Sequence, residues 1–180
     1  MDFKKVLAFL ARDFEVNGVS YALIGGIALG ALGIIRATVD LDFLVKKDDL
    51  KKVREIMESH GYKTVYESEN VSQYLSELKP FGSVDFLHAF RPVSLSMLGR
   101  AGRIKVFDGE IEIPVLQPED IVGLKVQALA NNSERREWEL ADIKRVFEKY
   151  GQELDWDRLR YYFELFDLGD LYYEYRKRIK

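Results

Sequence analysis

The segment Tyr21–Val45, YALIGGIALGALGIIRATVDLDFLV, decides how this chain is read. It opens with a short apolar run, Tyr21–Ile24, turns on Gly25-Gly26, passes through a short apolar helix and ends in a second strand carrying Asp40 and Asp42. Side chains of a strand alternate between faces, so Val39, Leu41, Phe43 and Val45 share one face and Asp40 and Asp42 share the other. Two carboxylates side by side on an otherwise apolar strand repel each other and resist desolvation. A divalent cation between them removes both penalties. Mg²⁺ held by one or two carboxylates together with phosphate oxygens is the usual arrangement in phosphoryl chemistry. Gly25-Gly26 alone reads as a tight turn. Followed by Asp40-x-Asp42, it reads as a place where backbone amides approach a phosphate at the start of a helix.

Composition sets the bounds around that stretch. The chain has 180 residues, 47% hydrophobic and 13% aromatic, which is enough for a real core. A net charge of −3 gives no global attraction to nucleic acid or anionic membranes. The absence of cysteine excludes disulfides and thiolate metal sites and suits a reducing compartment, so a cytoplasmic protein is expected. The N-terminal MDFKKVLAFLARDFEV does not read as a signal peptide, because Arg12, Asp13 and Glu15 interrupt its apolar run. The uncharged run Val19–Ile35 is short for a membrane span and rich in glycine, so no membrane association is expected.

Working outward, Phe3, Val6, Leu7, Leu10 and Phe14 recur at helical spacing before Asn17-Gly18. After Val45, Asp48 is the expected N-cap of a helix with Leu50, Val53, Ile56 and Met57 on its apolar stripe. Strand-like runs follow at Tyr62–Tyr66, Val71–Leu78 and Val84–His88, the last two separated by Pro80-Phe81-Gly82. Arg91–Ala101 reads as one or two helical turns, and Ile104–Phe107 with Glu110–Pro114 as a hairpin across Asp108-Gly109. Beyond Pro114 only helices are expected. The first enters through Pro118 with Glu119 and Asp120 at its positive end and has Ile121, Leu124, Ala128 and Leu129 as its apolar face. Asn131-Asn132-Ser133 break the chain before a long helix, about Glu134–Tyr150, with Trp138, Ala141 and Phe147 on it. Aromatic-rich helices at Trp156–Phe166 and Leu171–Arg178 complete the chain. The expected fold is therefore α/β (α+β), with a mixed β-sheet core flanked by helices over residues 1–116 and a small helical region over residues 117–180.

Gly25-Gly26, Gly33, Arg36, Thr38, Asp40 and Asp42, in that order, resemble the signature of the DNA-polymerase-β-like nucleotidyltransferase superfamily. Within it they resemble the small abortive-infection (AbiEii-type) proteins. Pro118-Glu119-Asp120 with Lys125-x-x-Ala128, and Arg135, Arg136 and Asp142-Ile143 further on, extend the resemblance over residues 20 to 147. The chain departs from the pattern where Gly26 replaces a hydroxyl residue found in some relatives, and at Glu139 and Asp142, where relatives often carry an acidic pair. The resemblance implies a transfer of a nucleoside monophosphate from an NTP such as ATP to an acceptor hydroxyl, with pyrophosphate released. The acceptor would be a tRNA, a protein or a small alcohol. It further implies an antitoxin-like partner protein, and a homodimer is a further expectation.

Such a reaction needs a proton removed and phosphate charge balanced, which two Mg²⁺ ions (or Mn²⁺) bridged by three carboxylates would do. Asp40 and Asp42 supply two. Asp85, in the apolar run Val84-Asp85-Phe86-Leu87, is the expected third, with Glu77, Glu110 and Glu112 in reserve. Arg36, Thr38 and Lys125 join Gly25 and Gly26 as expected nucleotide contacts. Each has a plainer reading: Asp85 as a cap or buried ion pair, Lys125 as a solvated helix position, and Arg135, Arg136 and Asp142 as exposed helix charges. His60 and His88 lack partners at metal spacing and read as structural, and Tyr161, Tyr162, Tyr172, Tyr173 and Tyr175 as packing residues or subunit contacts. The clusters Arg100-Arg103-Lys105, Arg135-Arg136 and Arg176–Lys180 could touch an RNA backbone, but they are scattered and the total charge is acidic. A non-catalytic nucleotide- or partner-binding module is the alternative function. A dinucleotide-binding fold is excluded by the glycine spacing, and no phosphate-loop motif is present.

Overall fold

The computed structural model describes residues 1–132, 134 and 136–179. Readings that involve Ser133, Arg135 and Lys180 lie outside the described residues. The chain divides into two compact units, Met1–Leu116 and Gln117–Lys180.

The first unit contains β1 (Tyr21–Ile24), β2 (Leu41–Lys46), β3 (Tyr62–Glu67), β4 (Val71–Ser76), β5 (Ser83–Ala89), β6 (Gly102–Val106) and β7 (Ile111–Val115). Its helices are α1 (Phe3–Val16), α2 (Gly25–Ala31), α3 (Leu50–Ser59) and α4 (Pro92–Arg100). The seven strands form one sheet in the order β3-β4-β5-β2-β1-β7-β6. β2 runs parallel to β5 and β1 parallel to β7, while the remaining neighbours are antiparallel. The expected mixed α/β sheet is thus the observed one.

Alternation along β2 and β5 separates two faces. Leu41, Phe43, Val45, Val84 and Phe86 are buried, whereas Asp42 and Asp85 are only part-buried. The aromatic face is closed by Phe14 of α1, whose ring meets Phe43 at 5.8 Å and Phe86 at 6.0 Å. Burying side chains of this size contributes about 1.5–3 kcal/mol each. α1 begins at Asp2, whose carboxylate accepts the Lys5 N–H at 3.1 Å. It stops at Asn17, and Gly18 then adopts φ +60°.

Several elements differ from expectation. β2 starts at Leu41, so Val39 lies outside the strand and is exposed. Asp48 does not cap α3. It pairs with Lys46 at 2.9 Å, while buried Asp49 accepts the Ser20 N–H at 2.9 Å and the Lys52 ammonium at 3.0 Å. The one or two turns expected over Arg91–Ala101 are a nine-residue helix started by Pro92. The hairpin between β6 and β7 turns through three left-handed residues, Phe107, Asp108 and Gly109.

The second unit contains α5 (Pro118–Asn131), α6 (Arg136–Tyr150), α7 (Trp156–Leu165) and α8 (Gly169–Arg178). Glu119 and Asp120 do more than complement the start of α5. Glu119 accepts the Asp155 N–H at 2.8 Å, and fully buried Asp120 accepts the Tyr162 hydroxyl at 2.6 Å. On α6 Trp138 is exposed, and the buried stripe runs through Glu139, Asp142, Ile143, Val146 and Phe147. Of the tyrosines, Tyr162 and Tyr172 are buried and Tyr161 and Tyr173 are about half exposed. Among the described residues no helix is long and apolar enough to cross a membrane.

Both histidines have structural partners. His60 ends α3, stacks on Phe9 at 4.0 Å and lies 2.6 Å from Asp13, whose carboxyl is held below its usual range chiefly by the Arg12 guanidinium. His88 is buried on β5 between the Glu69 carbonyl and the Ser72 hydroxyl, both at 3.0 Å, and burial pushes its pKa down. The unfolded chain therefore binds a proton at His88 more readily than the folded one. That contribution is intact above about pH 6.5 and is lost as pH falls below it. Asp13 acts at lower pH, where protonation removes stability present above the ordinary aspartate range. Urea midpoints measured between pH 7.5 and about 5 are expected to fall in the wild type and to fall less steeply in His88→Gln.

Candidate active site

β1 and β2 pair antiparallel, with Ile24 opposite Asp42, so the chain turns at Gly25 directly beside the Asp42 carboxylate. Gly25 has φ +66°, and a Cβ placed on it would lie 2.0 Å from Asp42 Oδ2. Only glycine allows that approach. A Cβ on Gly26 would lie 2.6 Å from Thr38 Cβ and 2.8 Å from Arg36 Nη1. The loop between α2 and β2 thus folds back over the glycine turn, and the Thr38 hydroxyl donates to the Asp40 carbonyl at 3.2 Å. α2 is only seven residues long, so the close backbone approach, not the helix dipole, distinguishes this turn.

Asp42 and Asp85 are register partners on adjacent parallel strands. Facing residues of neighbouring strands leave the sheet on the same side, with backbones about 4.8 Å apart. The Gln73 amide of β4 donates to Asp85 Oδ2 at 3.0 Å, and Gln73 is itself the register partner of Asp85. Asp40 lies just before β2, and its carboxylate accepts the Ser83 hydroxyl. The structure therefore brings Gly25, Gly26, Arg36, Thr38, Asp40, Asp42 and Asp85 to one end of the central strands.

Among the described residues no group of three or more acids or histidines stands close enough together to hold a metal ion. What the sheet supplies is a pair of carboxylates on neighbouring strands, with Asp40 one rung away and engaged by Ser83. That donor set fits Mg²⁺, a hard cation that takes oxygen ligands and is often held by only one or two carboxylates plus phosphate oxygens. The reserve acids are occupied elsewhere: Glu77 with Lys63, Glu110 with Lys4 at 2.6 Å, and Glu112 with Arg103 at 3.5 Å.

Within the second unit, Lys125 is not a solvated position. Its ammonium is buried, 2.9 Å from Glu139 and 2.7 Å from Asp142. Asp142, read as an exposed helix charge, is 1% exposed and also accepts Arg145 at 2.9 Å. The i, i+3 spacing of Glu139 and Asp142 puts both on one face of α6, toward the lysine of α5. Gln73 and Ser83 carry no sequence signal of their own, and only strand register reveals them as partners of the acids.

Two substitutions test this geometry. Gly25→Ala is expected to destabilise the fold by about 1–3 kcal/mol through backbone strain alone and to displace Asp42, as measured by denaturant unfolding and crystallography. Lys125→Met removes the buried cation that Glu139 and Asp142 share, leaving Asp142 with the part-exposed Arg145, and is expected to cost about 3–5 kcal/mol in the same unfolding assay.

Solved structures of similar fold place this architecture among known proteins. The solution structure of the antibiotic-resistance factor ANT(2'')-Ia superposes with a TM-score of 0.65, at 14% identity over 99% of both chains. An antigenic nucleotidyltransferase-like protein from Paracoccidioides brasiliensis gives 0.58, at 18% identity over 98% of this chain and 92% of that one. The lincosamide antibiotic adenylyltransferase LnuA, lincomycin-bound, gives 0.56, at 19% identity over 79% and 95%. No curated protein matches the sequence. The family described as "Uncharacterised nucleotidyltransferase" matches residues 5–175, nearly the whole length, and the chain belongs to that family of nucleotidyltransferases.

Proposed function

We propose that this nucleotidyltransferase moves a nucleoside monophosphate from an NTP, with ATP as donor, to the hydroxyl of an acceptor and releases pyrophosphate, using Mg²⁺. One observation carries the reading: Asp42 and Asp85 face each other across a parallel rung, with Gly25 pressed against the Asp42 carboxylate. Asp42 and Asp85, with Asp40 beside them, would hold the divalent ion. When bound, the ion offsets phosphate charge and polarises the phosphoryl oxygens. The chain's own groups do the rest. The glycine turn lets the triphosphate approach the backbone, and Arg36 beside Gly26 balances its charge. Thr38 anchors the loop that carries Arg36, and Asp85, oriented by Gln73, takes the proton of the attacking hydroxyl.

In this reading residues 1–116 form the catalytic core and residues 117–180 an accessory helical region. Lys125 is a structural cation there, because two carboxylates already share its charge. The Arg36-x-Thr38-x-Asp40-x-Asp42 string supports kinship with the AbiEii-type enzymes of the cytoplasm, and with it an antitoxin-like protein or a second copy as partner. For the acceptor, a small molecule is the first class to test. One fold neighbour is a lincosamide antibiotic adenylyltransferase, and ANT(2'')-Ia has been seen in complex with adenylyl-2''-tobramycin.

The test is incubation of the purified protein with Mg²⁺, cell lysate and each NTP labelled at the α-phosphate. Label is expected on an acceptor, with pyrophosphate released. Asp42→Asn is expected to reduce labelling about 100-fold or more, and chelation of Mg²⁺ to abolish it. Full labelling by Asp42→Asn would overturn the assignment. Nucleotide binding by calorimetry with no pyrophosphate released from any lysate fraction would support the non-catalytic binding module instead.

A further inference from the structure

The row of register partners that contains the acid pair does not stop at Asp85. Asp42, Asp85, Gln73 and Tyr66 succeed one another across β2, β5, β4 and β3, so all four side chains leave the same face of the sheet. Two residues along, Ser83, Leu75 and Lys63 form a second row on that face. Toward its outer strands this face is open: Leu75 is 47% and Tyr66 52% exposed. Leu75 is therefore about 5 Å from Ser83 by strand spacing, and Tyr66 about 10 Å from Asp85.

The order of events at phosphorus gives this face a direction. Attacking and leaving oxygens lie roughly in line on opposite sides of the transferred phosphoryl group. The glycine turn that would receive the pyrophosphate follows β1, which flanks β2 on one side, while β5 and then β4 lie on the other. The attacking hydroxyl must then come in over β5 and β4.

We propose that Leu75 and Tyr66 form the acceptor platform and that the acceptor is a small, uncharged alcohol with an apolar ring body lying on them. This inference rests on the nucleotidyl-transfer reading above. An exposed tyrosine and leucine present a flat apolar surface of the width of a ring-bearing small molecule. The one cation of these two rows, Lys63, is already paired with Glu77, so the platform offers no counter-charge to a nucleic-acid backbone. A register shift between Thr64 and Tyr66 interrupts the edge strand and disfavours a peptide adding as a further strand. In the reaction, the acceptor oxygen forms a bond to the α-phosphorus as the bond from that phosphorus to the bridging oxygen breaks. Pyrophosphate departs with the electron pair, and the hydroxyl proton passes to the Asp85 carboxylate and then to water.

The experiment uses the full chain, ATP labelled at the α-phosphate, Mg²⁺, and cell lysate separated into low-mass filtrate, RNA and protein. Label is expected in the low-mass fraction, on a product that partitions into organic solvent once its nucleotide is removed. Tyr66→Ser and Leu75→Lys are each expected to raise the apparent KM for that filtrate about tenfold or more, with the affinity for a non-hydrolysable ATP analogue unchanged in calorimetry. Thr64→Ala, whose side chain faces the other side of the sheet opposite Tyr74, serves as the control and is expected to behave as wild type. Label on RNA or protein, or wild-type KM in both platform variants, overturns the platform while leaving nucleotidyl transfer standing. The absence of any Asp42-dependent label overturns transfer and platform together.

Discussion

A single steric fact organises the first unit: backbone at Gly25 and carboxylate at Asp42 share a space that no Cβ can enter. It requires β1 to pair antiparallel with β2 in the register that sets Ile24 opposite Asp42. That register in turn sends Leu23 and Phe43 to one face and leaves Asp42, part-buried, on the other. A slip of one residue would exchange the two sets, burying a carboxylate and exposing a phenylalanine. The aromatic packing of Phe14, Phe43 and Phe86 and the placement of Asp42 beside Gly25 and Asp85 are therefore two consequences of one alignment.

Much of this was legible in the chain itself. Period-two alternation in Leu41–Val45 and Val84–His88, and the glycine pair between two apolar runs, are local signals that survive folding unchanged. The pairing of Asp42 with Asp85 was an inference from an acid in an apolar strand, and strand register is what gives it content. Gln73 and Ser83 were invisible because a polar residue on a part-buried strand has no signature until its neighbour is known. Val39 departs from its expected strand face because periodicity assumes that an element continues. β2 begins after Val39, which is left exposed.

That cluster shows how the helical unit departs from simple amphipathic packing. Lys125, Glu139 and Asp142 occupy positions that sequence patterning assigns to solvent, and they are buried because they satisfy one another. Ion groups in such a setting contribute little net stability compared with apolar residues of the same volume, yet losing one partner is costly. They fix which face of α6 meets α5, as the Tyr162–Asp120 bond fixes α7 against the same helix.

The parallel alignment of β2 with β5 also shapes how the protein comes to be folded. Ser83 and Asp40 are separated by 43 positions, whereas β3 with β4 and β6 with β7 join through short local connections. Closing the larger loop carries the greater entropic penalty, so the hairpins are favoured to form first and the central rung last. A nascent or partly denatured chain accordingly keeps Asp42 and Asp85 apart until the sheet is complete. Any ligand that bound only the completed rung would stabilise the native state by mass action, so its supply would also set how long this protein persists.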